Sequence, residues 1–275
     1  MKILFTKMSG AGNDFVVVDN RSGIITDPQC FALAVCHRRY GVGADGLLLV
    51  ENSHKADFLM QYYNSDGSNA GMCGNGGRCI AKYAYDNGFV SKSTFTFEAF
   101  DYIYEATRCA PTLYELKMKE PQDARLHQRI TINGITLLGH YLNTGTDHVV
   151  LFTDENAELK SLDTIDVGKI GRAIRHHELF QPKGTNVNFV SMIGSNKIEI
   201  RTYERGVEDE TLACGTGSVA SALLSAQRYG WNNPVEVKVR SGESLFVTFQ
   251  SSGNQFSDVK LRGNAVITFT GEFEF

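Results

Sequence analysis

The chain lacks the features that mark several common classes of protein. Its 275 residues contain no apolar run of the roughly 18 residues that a transmembrane helix needs. No long block of like charge is present and the formal net charge is −4, whereas nucleic-acid-binding domains carry a clustered basic face. The N-terminal stretch MKILFTKMSG has a short apolar run broken by Lys7 and no small-residue cleavage site, so we predict no signal peptide. We therefore expect no membrane and no nucleic-acid partner.

Cysteine pairs with a metal-binding or redox spacing are also missing. None of the six cysteines forms a C-x-x-C pair, which argues against a zinc ribbon and against a thioredoxin-like motif. An even number of cysteines can form a disulfide framework, but that arrangement is typical of short secreted chains. We therefore expect reduced thiols, a cytoplasmic protein and no metal site.

A duplicated segment is the most informative feature that the chain does have. Residues 72–84 read MCGNGGRCIAKYA and residues 213–224 read ACGTGSVASALL. In each copy a polar stretch leads into Cys-Gly, a second glycine and an Ala-rich apolar run, which is typical of a loop entering a helix. The pattern predicts one cysteine, Cys73 or Cys214, at the N-terminus of each helix.

Such a position favours acid–base chemistry. Unpaired N–H groups at a helix N-terminus carry a partial positive charge. They lower the pKa of a cysteine from about 8.5 to roughly 3.5–7.5. Two cysteines in similar settings suggest two acid–base groups that face one substrate. The alternative is that both are small buried core residues, as cysteines outside disulfides often are.

The remainder of the chain indicates two similar α+β halves. Short segments rich in Thr, Phe and Tyr separate the two helices and predict antiparallel strands. We expect each half to be a curved, barrel-like, mostly antiparallel sheet around one central helix. Residues 121–128 are polar and are interpreted as a link between the halves, and residues 143–148 as a loop. Asp209 and Glu210 are expected to cap the second helix.

Five segments in order resemble the diaminopimelate epimerases, a family of cofactor-independent amino-acid epimerases. They are GAGNDFVVVDN (10–20), YNSDGSNAGMCGNGGRC (63–79), TGTDHVV (144–150), GTNVNFV (184–190) and YERGVEDETLACGTGS (203–218). The resemblance implies two pseudo-symmetric domains, residues 1–118 with 263–275 and residues 119–262, and an active site in the cleft between them. It also implies a homodimer without a cofactor that interconverts LL- and meso-diaminopimelate in lysine biosynthesis.

The residues fit that chemistry. An epimerase removes a proton from one face of Cα and returns one to the other face, so a thiolate and a thiol on opposite faces suffice. Backbone N–H groups at two helix N-termini could hold the carboxylate that takes up the developing negative charge.

The resemblance further implies a set of site residues. The catalytic pair is Cys73 and Cys214, and His148 and Glu204 tune the pKa values of the thiols. The expected substrate-binding residues are Asn13, Asn64, Gly74, Asn75, Asn186, Glu204, Arg205, Gly215 and Thr216. Glu204 and Arg205 would hold the distal amino and carboxyl groups; the alternative for them is an ion pair on a surface turn. A solvated loop position is the alternative for His148.

The chain departs from the family pattern at two places. The loop that usually reads G-x-P-H is Gly145-Thr146-Asp147-His148 here, so Asp147 adds a charge where a proline is usual. Gly46 stands where some members place a substrate-contacting Gln.

Other functions predict different residues. Proline racemases and hydroxyproline epimerases typically carry Cys-Gly-His at the first cysteine, and Asn75 argues against them. Isomerases of the phenazine-biosynthesis type lack the paired cysteines. A thiol redox protein would need a disulfide for activity, whereas that disulfide would inactivate an epimerase.

Overall fold

The computed structural model describes residues 1–69, 71–253 and 255–275, and these form two compact units. The first unit comprises residues 1–117 and 262–275, and the second comprises residues 118–261. The described helices are α1 (Pro28–Cys36), α2 (Gly74–Asp86), α3 (Val167–Arg175) and α4 (Gly215–Tyr229). None of them is both long and apolar enough to cross a membrane.

The first unit is a mixed, mainly antiparallel sheet packed on α2. Its strands are β1 (Lys2–Gly10), β2 (Asn13–Asp19), β3 (Gly46–Glu51), β4 (Phe58–Asn64), β5 (Thr94–Ala99), β6 (Tyr102–Arg108), β7 (Leu113–Lys117) and β17 (Val266–Glu274). β1 pairs antiparallel with both β2 and β17, while β2 pairs parallel with β3. Helix α2 contacts β1, β2, β3, β6 and β7, so the sheet curves around it.

The second unit repeats this plan around α4. Its strands are β8 (Gln122–Ile132), β9 (Ile135–Asn143), β10 (Asp147–Phe152), β11 (Asn186–Gly194), β12 (Lys197–Glu204), β13 (Asp209–Thr211), β14 (Val235–Lys238), β15 (Ser244–Ser252) and β16 (Gln255–Asn264), which ends in the first unit. β10 pairs antiparallel with β9 and parallel with β11. Helix α4 contacts β9 to β12, β14 and β15. The predicted α+β class, with a central helix in each curved sheet, is confirmed.

Small residues let both central helices pack closely. A Cβ added at Gly77 of α2 would lie 2.4 Å from Cε of Met72 and 2.8 Å from Cδ1 of Leu116. A Cβ added at Gly217 of α4 would lie 2.3 Å from Oδ1 of Asn188. Because Gly77 and Gly217 have no side chain, the first turn of each helix can pack directly against these neighbouring side chains.

Three local predictions are wrong. The polar stretch 121–128 is not a link: residues 122–128 begin β8, where every side chain from 122 to 129 is exposed or partly exposed and no apolar pattern is needed. Asp147 and His148 belong to β10 rather than to a loop, since they pair with β9. Asp209 and Glu210 do not cap a helix: they lie in β13, where Arg201 binds the Glu210 carboxylate at 2.7 Å.

Candidate active site

Cys73 and Cys214 occupy equivalent positions in the two units. Each is the N-cap residue of a central helix and has extended backbone dihedrals, with φ −106° and ψ 122° at Cys73 and φ −116° and ψ 114° at Cys214. The carbonyl of Cys73 accepts from Gly77 N at 2.8 Å, and the carbonyl of Cys214 accepts from Ser218 N at 2.9 Å. Cys73 is partly exposed and Cys214 is 6% exposed. Both cysteines thus lie at the positive end of a helix dipole.

The first unit holds the side chains of Asn13 and Asn75 together. Nδ2 of Asn75, which is fully buried, donates to Oδ1 of Asn13 at 2.6 Å. Arg78, also fully buried, donates to Oδ1 of Asn75 at 2.7 Å and to the Gly74 carbonyl at 3.2 Å. Asn13 in turn donates to Asp45 at 3.0 Å. A buried guanidinium therefore fixes the orientation of the first turn of α2, next to Cys73.

Asn64 ends β4 in the same unit. Its Nδ2 donates to Oγ of Ser68 at 3.0 Å, and its backbone N–H donates to the Ser68 carbonyl at 2.9 Å. These bonds close the turn that leads towards α2 and hold Asn64 at the strand end.

In the second unit a hydrogen-bonded chain runs from a buried histidine to Cys214. Nε2 of His148 lies 2.9 Å from Oγ1 of Thr216, and this Oγ1 lies 3.6 Å from Sγ of Cys214. Nδ1 of His148 lies 3.2 Å from Nδ2 of Asn188. The same Nδ2 donates to the Val149 carbonyl at 3.1 Å, so the Asn188 amide is oriented and His148 Nδ1 must accept. The proton of the neutral ring therefore sits on Nε2, which lies 2.9 Å from the hydroxyl oxygens of both Thr146 and Thr216.

His148 is held in its neutral form. It is fully buried, and burial lowers its pKa from 6.5 to about 3, with the nearby Arg205 charge acting in the same direction. At neutral pH it acts on its neighbours as a hydrogen-bond donor and acceptor, not as a cation.

Asp147 organises a second cluster in this unit. Its carboxylate accepts from Tyr141 Oη at 2.6 Å, from Asn143 Nδ2 at 3.1 Å and from Arg205 Nη1 at 2.8 Å. Burial opposes ionisation of Asp147, but the hydrogen bonds from Tyr141 and Arg205 outweigh it and lower its pKa. Asn186 joins the cluster, because its Nδ2 donates to the Asp147 carbonyl at 2.9 Å and its Oδ1 accepts from Arg205 N at 2.8 Å.

Glu204 lies next to Arg205 at the end of β12. Its Oε2 accepts from the Thr211 hydroxyl at 2.9 Å. Glu204 is thus hydrogen-bonded to β13. Its neighbour Arg205 instead binds Asp147 and, at 3.1 Å, the Gly184 carbonyl.

Sequence reasoning missed several residues that support these clusters. Among them are Asp45, Arg78, Asn188, Asp147 as the Arg205 partner, and the Asp147 donors Tyr141 and Asn143. Only Asn188 left a signal, because it follows Asn186 by two positions in a strand and so shares its face.

The chain matches known epimerases along most of its length. The family model described as diaminopimelate epimerase matches residues 5–101 and 140–267. A diaminopimelate epimerase from Chlorobaculum tepidum is 42% identical over 270 residues, which are 96% of this chain and 98% of the relative. One from Flavobacterium psychrophilum is 38% identical over 96% of this chain and 97% of its own length.

Solved structures share the fold at low sequence identity. A phenazine biosynthesis protein of the PhzF family from Bacillus anthracis has a TM-score of 0.76 at 15% identity, with both chains fully covered. A probable proline racemase from Agrobacterium radiobacter has a TM-score of 0.73 at 15% identity, covering 99% of this chain and 93% of the other. At this identity the similarity bears on the fold alone.

Proposed function

The chain belongs to the diaminopimelate epimerase family, and from that premise we propose that it interconverts LL- and meso-diaminopimelate as a cofactor-independent isomerase of lysine biosynthesis. The observation that carries the proposal is the pair Cys73 and Cys214, each at the N-cap of a buried central helix. Their equivalence in two similar units matches a reaction that needs one acid–base group on each face of a carbon.

The proposed reaction is a balanced transfer of protons. In one direction the Cys73 thiolate takes the proton from Cα and the Cys214 thiol donates its proton to the opposite face, and the reverse direction exchanges the roles. The electron pair left on Cα is delocalised into the adjacent carboxylate. Backbone N–H groups of Gly74, Asn75, Gly215 and Thr216 are proposed to stabilise that charge, as preorganised donors at helix N-termini do.

Cys214 is connected to His148 through the hydroxyl of Thr216. Nε2 of His148 lies 2.9 Å from the hydroxyl oxygens of both Thr146 and Thr216, and the Thr216 hydroxyl can direct its own proton to Sγ, which is 3.6 Å away. We propose that His148 tunes the Cys214 pKa through this chain as a neutral donor, because hydrogen bonds to the charged form of a group lower the pKa. Glu204 is proposed to have the corresponding role for the other thiol as well as a substrate contact.

The remaining polar side chains are proposed to bind the substrate. Arg205 would take the distal carboxylate, because Asp147 and the Gly184 carbonyl already fix its guanidinium. The asparagines Asn13, Asn64 and Asn186 would complete the recognition of the two amino-acid ends.

Substitution of the two cysteines tests this function. Cys73→Ser and Cys214→Ser should lose epimerisation of LL-diaminopimelate by about 100-fold or more, because a hydroxyl is a poor acid–base group at neutral pH. Cys30→Ser, at an exposed cysteine in α1, is the matched control and should keep its activity.

Proline should be a poor substrate because it has no second amino-acid end. Near wild-type activity of either serine variant, or comparable turnover of proline, would refute the proposal.

We also propose that the protein is a cytoplasmic homodimer. The mechanism needs reduced thiols, which the cytoplasm maintains. Apolar side chains stay exposed on one face of β17, where Ile267 is 42% and Phe269 47% exposed. Exposed apolar patches of this kind are typical of contact surfaces. Ile267→Asp should therefore yield monomers in sedimentation experiments, and a wild-type protein that sediments as a monomer would contradict the dimer.

A further inference from the structure

A group of side chains outside the proposed active site has the donor set of a metal centre. His127, His140 and Glu155 each offer one ligand atom, and these three atoms lie within 4.8 Å of one another. We propose that the three residues bind a divalent transition-metal ion, with zinc as the preferred ion. The sequence gives no sign of this site because the ligands are more than ten residues apart and come from three separate segments.

An irregularity in β8 brings His127 to the site. β8 and β9 pair antiparallel, but the register shifts between Arg125 and Gln128. His127 lies in this bulge and has a left-handed φ of 53°. Bulges redirect side chains, and here the His127 ring meets the His140 ring edge to face with centroids 4.9 Å apart.

The other two ligands are already adjacent, with His140 buried and Glu155 partly buried. His140 on β9 is 5% exposed, and its Nε2 lies 2.7 Å from Oε2 of Glu155. An imidazole nitrogen and a carboxylate oxygen are two donor types that zinc binds, and these two atoms already face each other.

A basic residue orients the carboxylate without occupying the oxygen that faces the histidines. Nη1 of Arg228 lies 3.0 Å from Oε1 of Glu155, which leaves Oε2 directed at His140. The second guanidinium nitrogen lies 3.1 Å from Asp154, so a further carboxylate offsets the arginine charge. Partners of this kind behind a ligand are typical of metal sites.

The geometry suits zinc better than a larger, oxygen-seeking ion. Imidazole and carboxylate ligands bind Zn²⁺ at about 2.0–2.2 Å, and a tetrahedral ion holds its ligand atoms roughly 3.3 Å apart. The observed group needs only a small inward movement, which the exposed His127 can make. Its open side leaves the fourth position to water.

Occupation of this site would stabilise one edge of the second unit. It would join β8, β9 and the short 3-10 helix Thr153–Glu155 that follows β10. β9 pairs with β10 at Asp147 and His148, so the bound ion would stabilise the strand pair that positions these two residues. We expect a structural role for the ion, expressed as stability.

Metal titration tests the site. Untagged, chelator-treated full-length protein is titrated with Zn²⁺ by calorimetry, and the absorption spectrum of the Co²⁺ form is recorded. We expect one ion per chain and, for His127→Asn, a dissociation constant at least tenfold higher. Asn tolerates a positive φ, so this variant should keep the fold. His54→Asn, at an exposed histidine of the first unit, is the control and should bind like the wild type.

The outcomes separate this site from the cysteines. Zn²⁺ should raise the melting temperature of the wild type and of His54→Asn but not that of His127→Asn. The Co²⁺ spectrum should lack thiolate charge-transfer bands. Absence of stoichiometric binding, binding that persists in His127→Asn, or a thiolate spectrum would each overturn the proposal.

Discussion

At the residue scale, His148 is a fully buried imidazole whose pKa is lowered to about 3. The unfolded chain binds a proton at this histidine below its ordinary value of 6.5, whereas the folded chain does not until about pH 3. Stability from His148 is therefore lost as the pH falls through this interval, with a slope of up to about 1.4 kcal/mol per pH unit.

The variant His148→Gln isolates that contribution. We expect the free energy of unfolding of this variant, measured in urea from pH 7 to pH 4.5, to depend less on pH than that of the wild type. The difference between the two slopes should correspond to the uptake of about one proton on unfolding. Equal slopes for the two proteins would show that His148 is not buried in its neutral form.

Asp147 is the second residue whose replacement is informative. In Asp147→Asn the charge-assisted bond to Arg205 is lost, so the free energy of unfolding should fall by about 1.5–3 kcal/mol. The Michaelis constant for diaminopimelate should rise more than the turnover number falls, because Arg205 is proposed to bind the distal end. Since the pKa of Asp147 is lowered in the folded chain, the stability difference should shrink as the pH falls below the ordinary value of 3.8 and vanish once the pH is below the folded-state pKa.

A surface pair provides the control for Asp147. Asp19 binds Arg21 at 2.8 Å, and both side chains are more than a third exposed. Asp19→Asn should change stability by less than about 1 kcal/mol and leave the kinetics unchanged. Similar kinetic effects of the two substitutions would contradict the role assigned to Asp147.

At the element scale, the start of α4 depends on the absence of a side chain at Gly217. A Cβ there would lie 2.3 Å from Oδ1 of Asn188, the residue that orients His148. Gly217→Ala should therefore cost about 1–3 kcal/mol of stability and lower epimerase activity. Gly168→Ala in α3 meets no atom closer than 3.8 Å and should be neutral or stabilising, because Ala favours helix. Equal effects in thermal unfolding and activity assays would contradict this view of α4.

The sequence predicted the two central helices because their signal is local. Cys-Gly followed by an Ala-rich run specifies a helix start within a few residues, and both starts lie where predicted. Prediction from the sequence failed for the first part of β8, because an exposed strand has no apolar pattern by which it can be recognised. It also misplaced His148, since burial of this residue depends on the pairing of β10 with β9 and β11.

At the scale of the whole molecule, two similar units each supply one cysteine at the start of a buried helix. The family followed from the order of five motifs, and the comparisons confirm it. The side-chain networks could not be predicted, because Arg78 and His127 reach their partners through tertiary packing and an irregular strand register. Contacts of this kind have no characteristic residue spacing in the sequence.

Incorporation of solvent deuterium tests the two-thiol account most directly. The protein is incubated with LL-diaminopimelate in D2O without pyridoxal phosphate, and the meso product is isolated. A thiol that exchanges with solvent and donates to the face opposite the base predicts one deuterium at the inverted Cα of the product. Meso product without deuterium, or no meso product, would contradict the account.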